Sequence, residues 1–206
     1  MSGKEGYSAP FRSRVVLATR NPGKLAELRR MLTGFSVLGL ADVPEFPEAP
    51  ETGATFAANA LAKARDAAAA TGLPSVADDS GLTVDALNGM PGVLSARWSG
   101  RHGADRANLE LVLAQIADVP DERRGAAFVC AAALVVPDGP EAVVHGQWTG
   151  RIARAPRGGN GFGYDPIFVP EGETRTSAEL SAAEKDAASH RARALRALLP
   201  HLRALA

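Results

Sequence analysis

A short β-branched run, Arg14–Thr19 (RVVLAT), leads into Asn21-Pro22, and this junction constrains the fold more than any other stretch of the chain. The run reads as a buried strand. Asn21 suits a helix N-cap. Pro22 suits the first helical position, because its missing amide is unused there and its fixed φ already fits the helix. Leu25, Leu28 and Leu32 then recur at helical spacing, with Gly34 as the stop. Strand, tight turn and helix follow in close succession.

The remaining elements fall around that unit. Residues 1–13 are polar and aperiodic and read as a loose tail, leaving 14–206 as a single domain. Residues 41–50 read as a Pro- and acid-rich loop. Thr55–Ala70 is helical by propensity and Gly72-Leu73-Pro74 breaks it. Ser75–Asp78 and Leu82–Leu87 read as two short strands around an acidic turn, Asp78-Asp79-Ser80-Gly81. Asp105–Ala117 carries a helical apolar face. Ala126–Val136 and Ala142–Ile152 flank a hairpin signal, Pro137-Asp138-Gly139-Pro140. Tyr164–Val169 reads as another strand. Ser181 and Glu184 form a capping-box pattern, and Ser189 offers a second N-cap before an apolar stripe at Leu195, Leu198, Leu199 and Leu202. An α/β opening and a late β-hairpin predict a mixed sheet with flanking helices.

Composition excludes several classes. With 206 residues, 46% hydrophobic, the chain can bury a core without staples. Its 23 basic and 23 acidic residues cancel, which argues against a partner held through a nucleic-acid backbone. Cys130 is alone, so it can form neither an intramolecular disulfide nor a cysteine metal cage. The longest apolar run, Ala126–Val136, is too short to span a bilayer. The opening MSGKEGYSAPFRSR has no apolar signal core, so a cytoplasmic protein is expected. Only four basic residues are lysines, at 4, 24, 63 and 185. An ammonium is a compact point charge and a guanidinium a wide fork, so lysines kept in an arginine-rich chain mark candidate contacts.

Four constellations could carry chemistry. Thr19–Lys24 (TRNPGK) puts a helix start at a strand end, where free amides and the helix dipole attract anions; the plainer alternative is an ordinary strand–helix turn. Ala77–Leu82 (ADDSGL) sets two acids at the end of an apolar strand. Alternation sends them to opposite faces, so one carboxylate can serve a metal or act as base while the other supports it; an Asx turn is the alternative. Gly158–Pro166 (GGNGFGYDP) can grip a flat ring with Phe162 and Tyr164, or is a Gly-rich loop with its aromatics tucked into the core. Ala183–Leu195 groups Lys185, His190 and Arg191 on helical positions, either against phosphate and an oxygen-bearing ring or as a solvated face. His102, His145 and His201 show no ligand spacing, and Cys130 reads as an inert buried thiol.

These motifs, with ETGATFAANALAKAR and the order in which they occur, resemble the non-canonical purine nucleoside triphosphate pyrophosphatases, the inosine/xanthosine triphosphate house-cleaning enzymes. The resemblance runs from about Arg14 to the C-terminus. It implies an elongated α/β fold with a long curved mixed sheet, two lobes and an active-site cleft between them. It also implies a homodimer, a Mg²⁺ requirement, and cleavage of a nucleoside triphosphate to the monophosphate and pyrophosphate. On the resemblance, Thr19, Arg20, Asn21, Pro22, Gly23 and Lys24 bind substrate. Asp79 is general base and metal-linked acid, with Ser80 a substrate contact beside it. Glu51 helps hold magnesium and Lys63 serves the phosphates during catalysis. Phe162, Gly163, Tyr164 and Asp165 grip the base, Lys185 contacts substrate, and His190 with Arg191 recognises the base. Pro50 stands where many relatives carry a second acid.

Overall fold

The computed structural model describes residues 14–47 and 50–205; the expected tail, residues 1–13, lies outside them. Six strands form one mixed sheet in the order β2-β1-β3-β4-β5-β6. β1 (Arg14–Leu17) pairs in parallel with β2 (Ser36–Gly39) and with β3 (Ser75–Val84). β4 (Gly125–Val135), β5 (Glu141–Ile152) and β6 (Phe168–Pro170) then follow β3, each antiparallel to the one before. Parallel neighbours need crossovers, supplied by α1 (Pro22–Met31) and α2 (Phe56–Thr71). α3 (Asp105–Gln115), α4 (Ala182–Ala188) and α5 (His190–Arg203) complete the chain.

The helix starts are set locally, at Asn21, Ser181 and Ser189 as expected and at Thr55 by a cap that propensity alone places inside the helix. Asn21 caps α1 with Pro22 at its first turn, and the Thr55 hydroxyl accepts the Ala58 amide to open α2. Ser181 opens α4 through a capping box with Glu184, and Ser189 caps α5. The last two helices are therefore separate rods that meet at one serine. Among the described residues, no helix is long and apolar enough to cross a membrane.

Three buried clusters divide the molecule. On one face of the sheet, α1 and α5 cover Val15, Leu17, Val76 and Cys130. On the other, α2 lays Ala60, Ala64 and Ala67 against Ala77, Ala131 and Ala133; with alanine on both sides the helix comes close to the strands. Beyond the middle of β3 a second lobe gathers Leu82, Val84, Leu109, Val112, Phe128, Trp148 and Phe168. Gly146 of β5 underlies α5 closely: a Cβ there would stand 2.1 Å from the His190 carbonyl oxygen.

Four expectations need correction. The acidic segment is not a turn but the middle of one ten-residue strand, with Asp78, Asp79, Ser80 and Gly81 opposite Ala132, Ala131, Cys130 and Val129 of β4. Cross-strand pairing over its full length outweighs the local turn propensity of Asp, Ser and Gly. The strand ends at Val84, and Asp85–Leu87 is a 3-10 turn. Asp165–Ile167 is also a 3-10 turn, leaving only Phe168–Pro170 as strand; Pro166 cannot donate to a ladder. α1 closes at Met31 with Leu32 as its cap, before Gly34.

Candidate active site

A cleft of about 320 Å³ opens between the two lobes. From the first lobe it is lined by Thr19, Arg20, Asn21, Lys24, Glu51, Lys63, Asp79 and Ser80. Phe162, Gly163, Tyr164 and Asp165 face them from the glycine-rich loop, and Lys185, His190 and Arg191 from α4 and α5. Separated by as many as 172 residues, from Thr19 to Arg191, these positions converge on one space. Two of the expected contacts stand back from it. Pro22 lines a neighbouring groove. Gly23 lies beside Phe162, where a Cβ would come within 2.8 Å of the ring.

The α1 start differs from expectation in one respect. The Asn21 side-chain oxygen accepts the amides of Gly23 and Lys24 at 2.9 and 3.2 Å, and the Asn21 amide donates to the Thr19 hydroxyl at 3.2 Å. The cap consumes the amides expected to be free for an anion. Attraction for phosphate at this corner therefore rests on side chains and on the helix dipole.

β3 presents its two acids to opposite faces, as its alternation requires. Asp79 faces α2. Asn59, one helical turn before Lys63, donates to Asp79 Oδ2 at 3.0 Å, and Lys63 Nζ lies 3.5 Å from Oδ1. Burial raises the Asp79 carboxyl above the usual range, against the lowering pull of Lys63 and Lys24. Lys63 also donates to Glu51 Oε1 at 2.8 Å. Burial disfavours the Lys63 ammonium, yet Asp79, Asp78 and Glu51 outweigh it and hold the group charged. Burial likewise opposes Glu51 ionisation, and Lys63 overturns that and lowers its pKa.

Asp78 faces α1 and α5. Burial opposes its ionisation, but Lys24 and Arg191 override it and hold the carboxyl well below the usual range. Lys24 Nζ lies 3.0 Å away and Arg191 Nε 3.3 Å. Arg191 continues to Glu27, which lies 3.4 Å from Lys185 Nζ, and Lys185 reaches Asp165 Oδ2 at 2.6 Å. Lys24, Asp78, Arg191, Glu27, Lys185 and Asp165 thus alternate in one row, buried beyond the half-buried Lys24, from the α1 start to the glycine-rich loop. Three Arg191 hydrogen bonds, to Asp78, Glu27 and Ser80, leave part of its five-donor fork for other acceptors.

At the ring end, the Phe162 ring lies 5.1 Å from Lys185 Nζ and 5.7 Å from the Arg191 guanidinium carbon. Asp165 shapes the loop by accepting the Phe162 amide at 2.8 Å and the Ser177 hydroxyl at 2.7 Å. His190 stacks on Phe128 at 4.8 Å. Its buried Nδ1 has no hydrogen-bond partner among the described residues, and burial with Arg191 and Lys185 nearby pushes its pKa far down. Tyr164 is buried at the cleft wall, and its hydroxyl donates to the Ser95 carbonyl at 2.8 Å.

Asn59 and Glu27, which contact Asp79 and the Arg191–Lys185 pair, were missed by the sequence reading. Each is a polar residue on a helix face that is otherwise buried, at 3% and 6% exposure. His102 is exposed at the cleft wall, while Cys130 is a fully buried thiol whose pKa burial raises, as expected.

A divalent cation would find two carboxylates here, Glu51 and Asp79, both near Lys63. Among the described residues no cluster of three or more His, Cys, Asp or Glu forms a self-contained metal cage. Hard carboxylate oxygens beside a phosphate-sized cleft fit Mg²⁺, which is usually held by one or two carboxylates with substrate phosphates and water.

Residues 15–201 match the Ham1 family. A dITP/XTP pyrophosphatase of Nocardia farcinica is 68% identical over 199 residues, which span 94% of this chain and 97% of that protein. A nucleoside-triphosphatase / dITP/XTP pyrophosphatase from Mycobacterium abscessus has a solved structure with TM-score 0.76 at 66% identity, covering 91% of this chain and 99% of that one. The Staphylococcus aureus Ham1 protein aligns at TM-score 0.84 and 38% identity, over 94% of this chain and all 100% of the other.

Proposed function

The chain belongs to the Ham1 family, and from that premise we propose that it hydrolyses dITP, ITP and XTP-type purine nucleotides to the monophosphate and pyrophosphate. One observation carries the reading. The same cleft holds a carboxylate with raised proton affinity between lysines and, opposite it, a ring-sized slot walled by Phe162, Lys185, His190 and Arg191. A triphosphate and a purine on one substrate need these two ends together.

Asp79 is the general base, taking a proton from the water that attacks the α-phosphorus. Asn59 and Lys63 orient it, and burial raises its proton affinity above that of an ordinary carboxylate, the direction a general base needs. Lys24 and Lys63 stabilise charge that develops on the departing pyrophosphate, a fixed electrostatic contribution of the kind that usually dominates catalysis. Glu51 and Asp79 are the residues that would hold Mg²⁺, which when bound supplies charge neutralisation at the phosphates. At the slot, Arg191 and His190 present donors that match a 6-oxo purine. The 6-amino group of adenine would leave them unpaired, at about 1–3 kcal/mol per buried group. The reading extends to a homodimer in the cytoplasm, which sedimentation equilibrium and cell fractionation test.

Pyrophosphate release from dITP, XTP, dGTP and dATP, with and without Mg²⁺, is the deciding assay. Release from dITP and XTP with Mg²⁺ is expected. Asp79→Asn should fold normally and lose about 10²–10⁴-fold in turnover; near-normal turnover would remove Asp79 from the base role.

A further inference from the structure

The residue that carries the second carboxylate is held from across the cleft. Glu51 precedes α2 in the first lobe. Arg97 closes a 3-10 segment, Gly92–Arg97, that packs on the far half of β3. Arg97 Nη2 donates to the Glu51 main-chain carbonyl at 3.1 Å, and its Nη1 lies 3.6 Å from Glu51 Oε2. The other carboxylate oxygen, Oε1, accepts from Lys63. One planar fork therefore addresses both the backbone and the side chain of Glu51, which fixes where the carboxylate stands and how it is rotated.

The segment behind Arg97 is itself locked. The Ser95 hydroxyl accepts the Leu82 amide at 2.9 Å and donates to the Gly92 carbonyl at 2.6 Å. The Tyr164 hydroxyl holds the Ser95 carbonyl. Gly81 leaves the space this needs, since a Cβ would stand 2.3 Å from the Ser95 hydroxyl. Arg97 thus springs from a point tied to β3 at Leu82, three residues past Asp79, so the second lobe sets the position of one carboxylate relative to the other.

We propose that Arg97 is a positioning residue that presents Glu51, together with Asp79, to the divalent cation; the identity of that cation rests on the function proposed above. Lysine at this position keeps the charge but cannot serve both acceptors. Charge alone would act the other way, because a cation beside a carboxylate weakens its hold on a second cation. Positioning and charge therefore predict opposite results.

The test is Mn²⁺ binding to the whole protein by water-proton relaxation, for wild type, Arg97→Lys and Arg97→Ala. Melting temperature and the Mg²⁺ dependence of pyrophosphate release are measured alongside. Both variants are expected to bind Mn²⁺ about tenfold more weakly, the size usual when a residue that orients a metal ligand is lost. The Mg²⁺ concentration for half-maximal release should rise by a similar factor, with nucleotide KM at saturating Mg²⁺ within about twofold of wild type. Unchanged Mn²⁺ affinity in both variants would overturn the proposal. So would tighter binding in Arg97→Ala with none lost in Arg97→Lys, the mark of charge, or a lowered melting temperature with activity that excess Mg²⁺ does not restore, the mark of a merely structural role. A wild type that releases no pyrophosphate would count against the proposed function, and the Mn²⁺ affinities would still decide the role of Arg97.

Discussion

Glu27→Gln isolates the middle of the buried row. Glu27 is 6% exposed and takes both Arg191 and Lys185. Removing one partner of a buried ion pair usually costs ~3–5 kcal/mol because a charge is left alone. Neither cation is left alone here: Arg191 keeps Asp78 at 3.3 Å and Lys185 keeps Asp165 at 2.6 Å. What is lost is the charged character of the Arg191 hydrogen bond, ordinarily worth ~1.5–3 kcal/mol, and the 3.4 Å ion pair with Lys185, while the glutamine oxygen still accepts from Arg191. A net destabilisation of about 2–3 kcal/mol follows. Urea unfolding followed by circular dichroism measures it, with an unchanged m-value expected. An exposed control, Glu110→Gln, loses only the Arg106 pair on α3 and should stay within about 0.5 kcal/mol of wild type. Activity on ITP should fall more than activity on ATP, because the slot side chains lose their alignment. A loss below about 1 kcal/mol with an unchanged ITP/ATP ratio would refute the claim that the row is a structural unit of the site.

Gly146→Ala should destabilise by about 1–3 kcal/mol or more, since the added carbon meets the backbone of His190 and Ala194, which cannot rotate away; thermal unfolding measures this. His190 is buried with its pKa pushed far below the ordinary histidine value. Below about pH 6.5 the unfolded chain binds a proton that the folded chain refuses, so stability falls with pH by up to about 1.4 kcal/mol per pH unit. In His190→Phe that part of the slope should vanish in denaturation curves taken between pH 7 and 5. Lys24→Arg should lower kcat/KM at least about tenfold even in this arginine-rich chain, because the wide guanidinium does not fit beside Asp78 as the ammonium does; steady-state kinetics with ITP decide it.

What the sequence showed plainly was local. Asn21-Pro22, Ser181-Glu184 and Ser189 each define a helix start through their own side chains, and all three hold; Thr55, read by propensity as the first helical residue, is the cap instead. The lysine count singled out Lys4, Lys24, Lys63 and Lys185; the last three stand in the cleft, and Lys4 lies outside the described residues. The acidic segment misled because its turn propensity is local, whereas its strand conformation is fixed by β4, roughly fifty residues on. Tyr164 lines the cleft as expected, but its hydroxyl bond to the Ser95 carbonyl in the second lobe carried no sequence signal. Glu27 carried no signal of its own: a glutamate on an amphipathic helix reads as solvated until α5 is laid against it. The free amides expected at α1 disappeared for a related reason, since a residue good enough to start the helix also occupies its first donors.

The alternating row has a consequence for how the two halves of a nucleotide are held. Its three cations and three anions sum to zero, so the side chains that wall the ring slot carry their counter-charges with them. Arg191 and Lys185 then meet a purine as fixed dipoles, hydrogen-bond donors aimed at a carbonyl, and exert little long-range pull. Added salt screens open charges far more than buried, internally compensated ones. Ionic strength should accordingly weaken the grip on the triphosphate for every nucleotide alike, and leave the order in which the bases are preferred almost untouched.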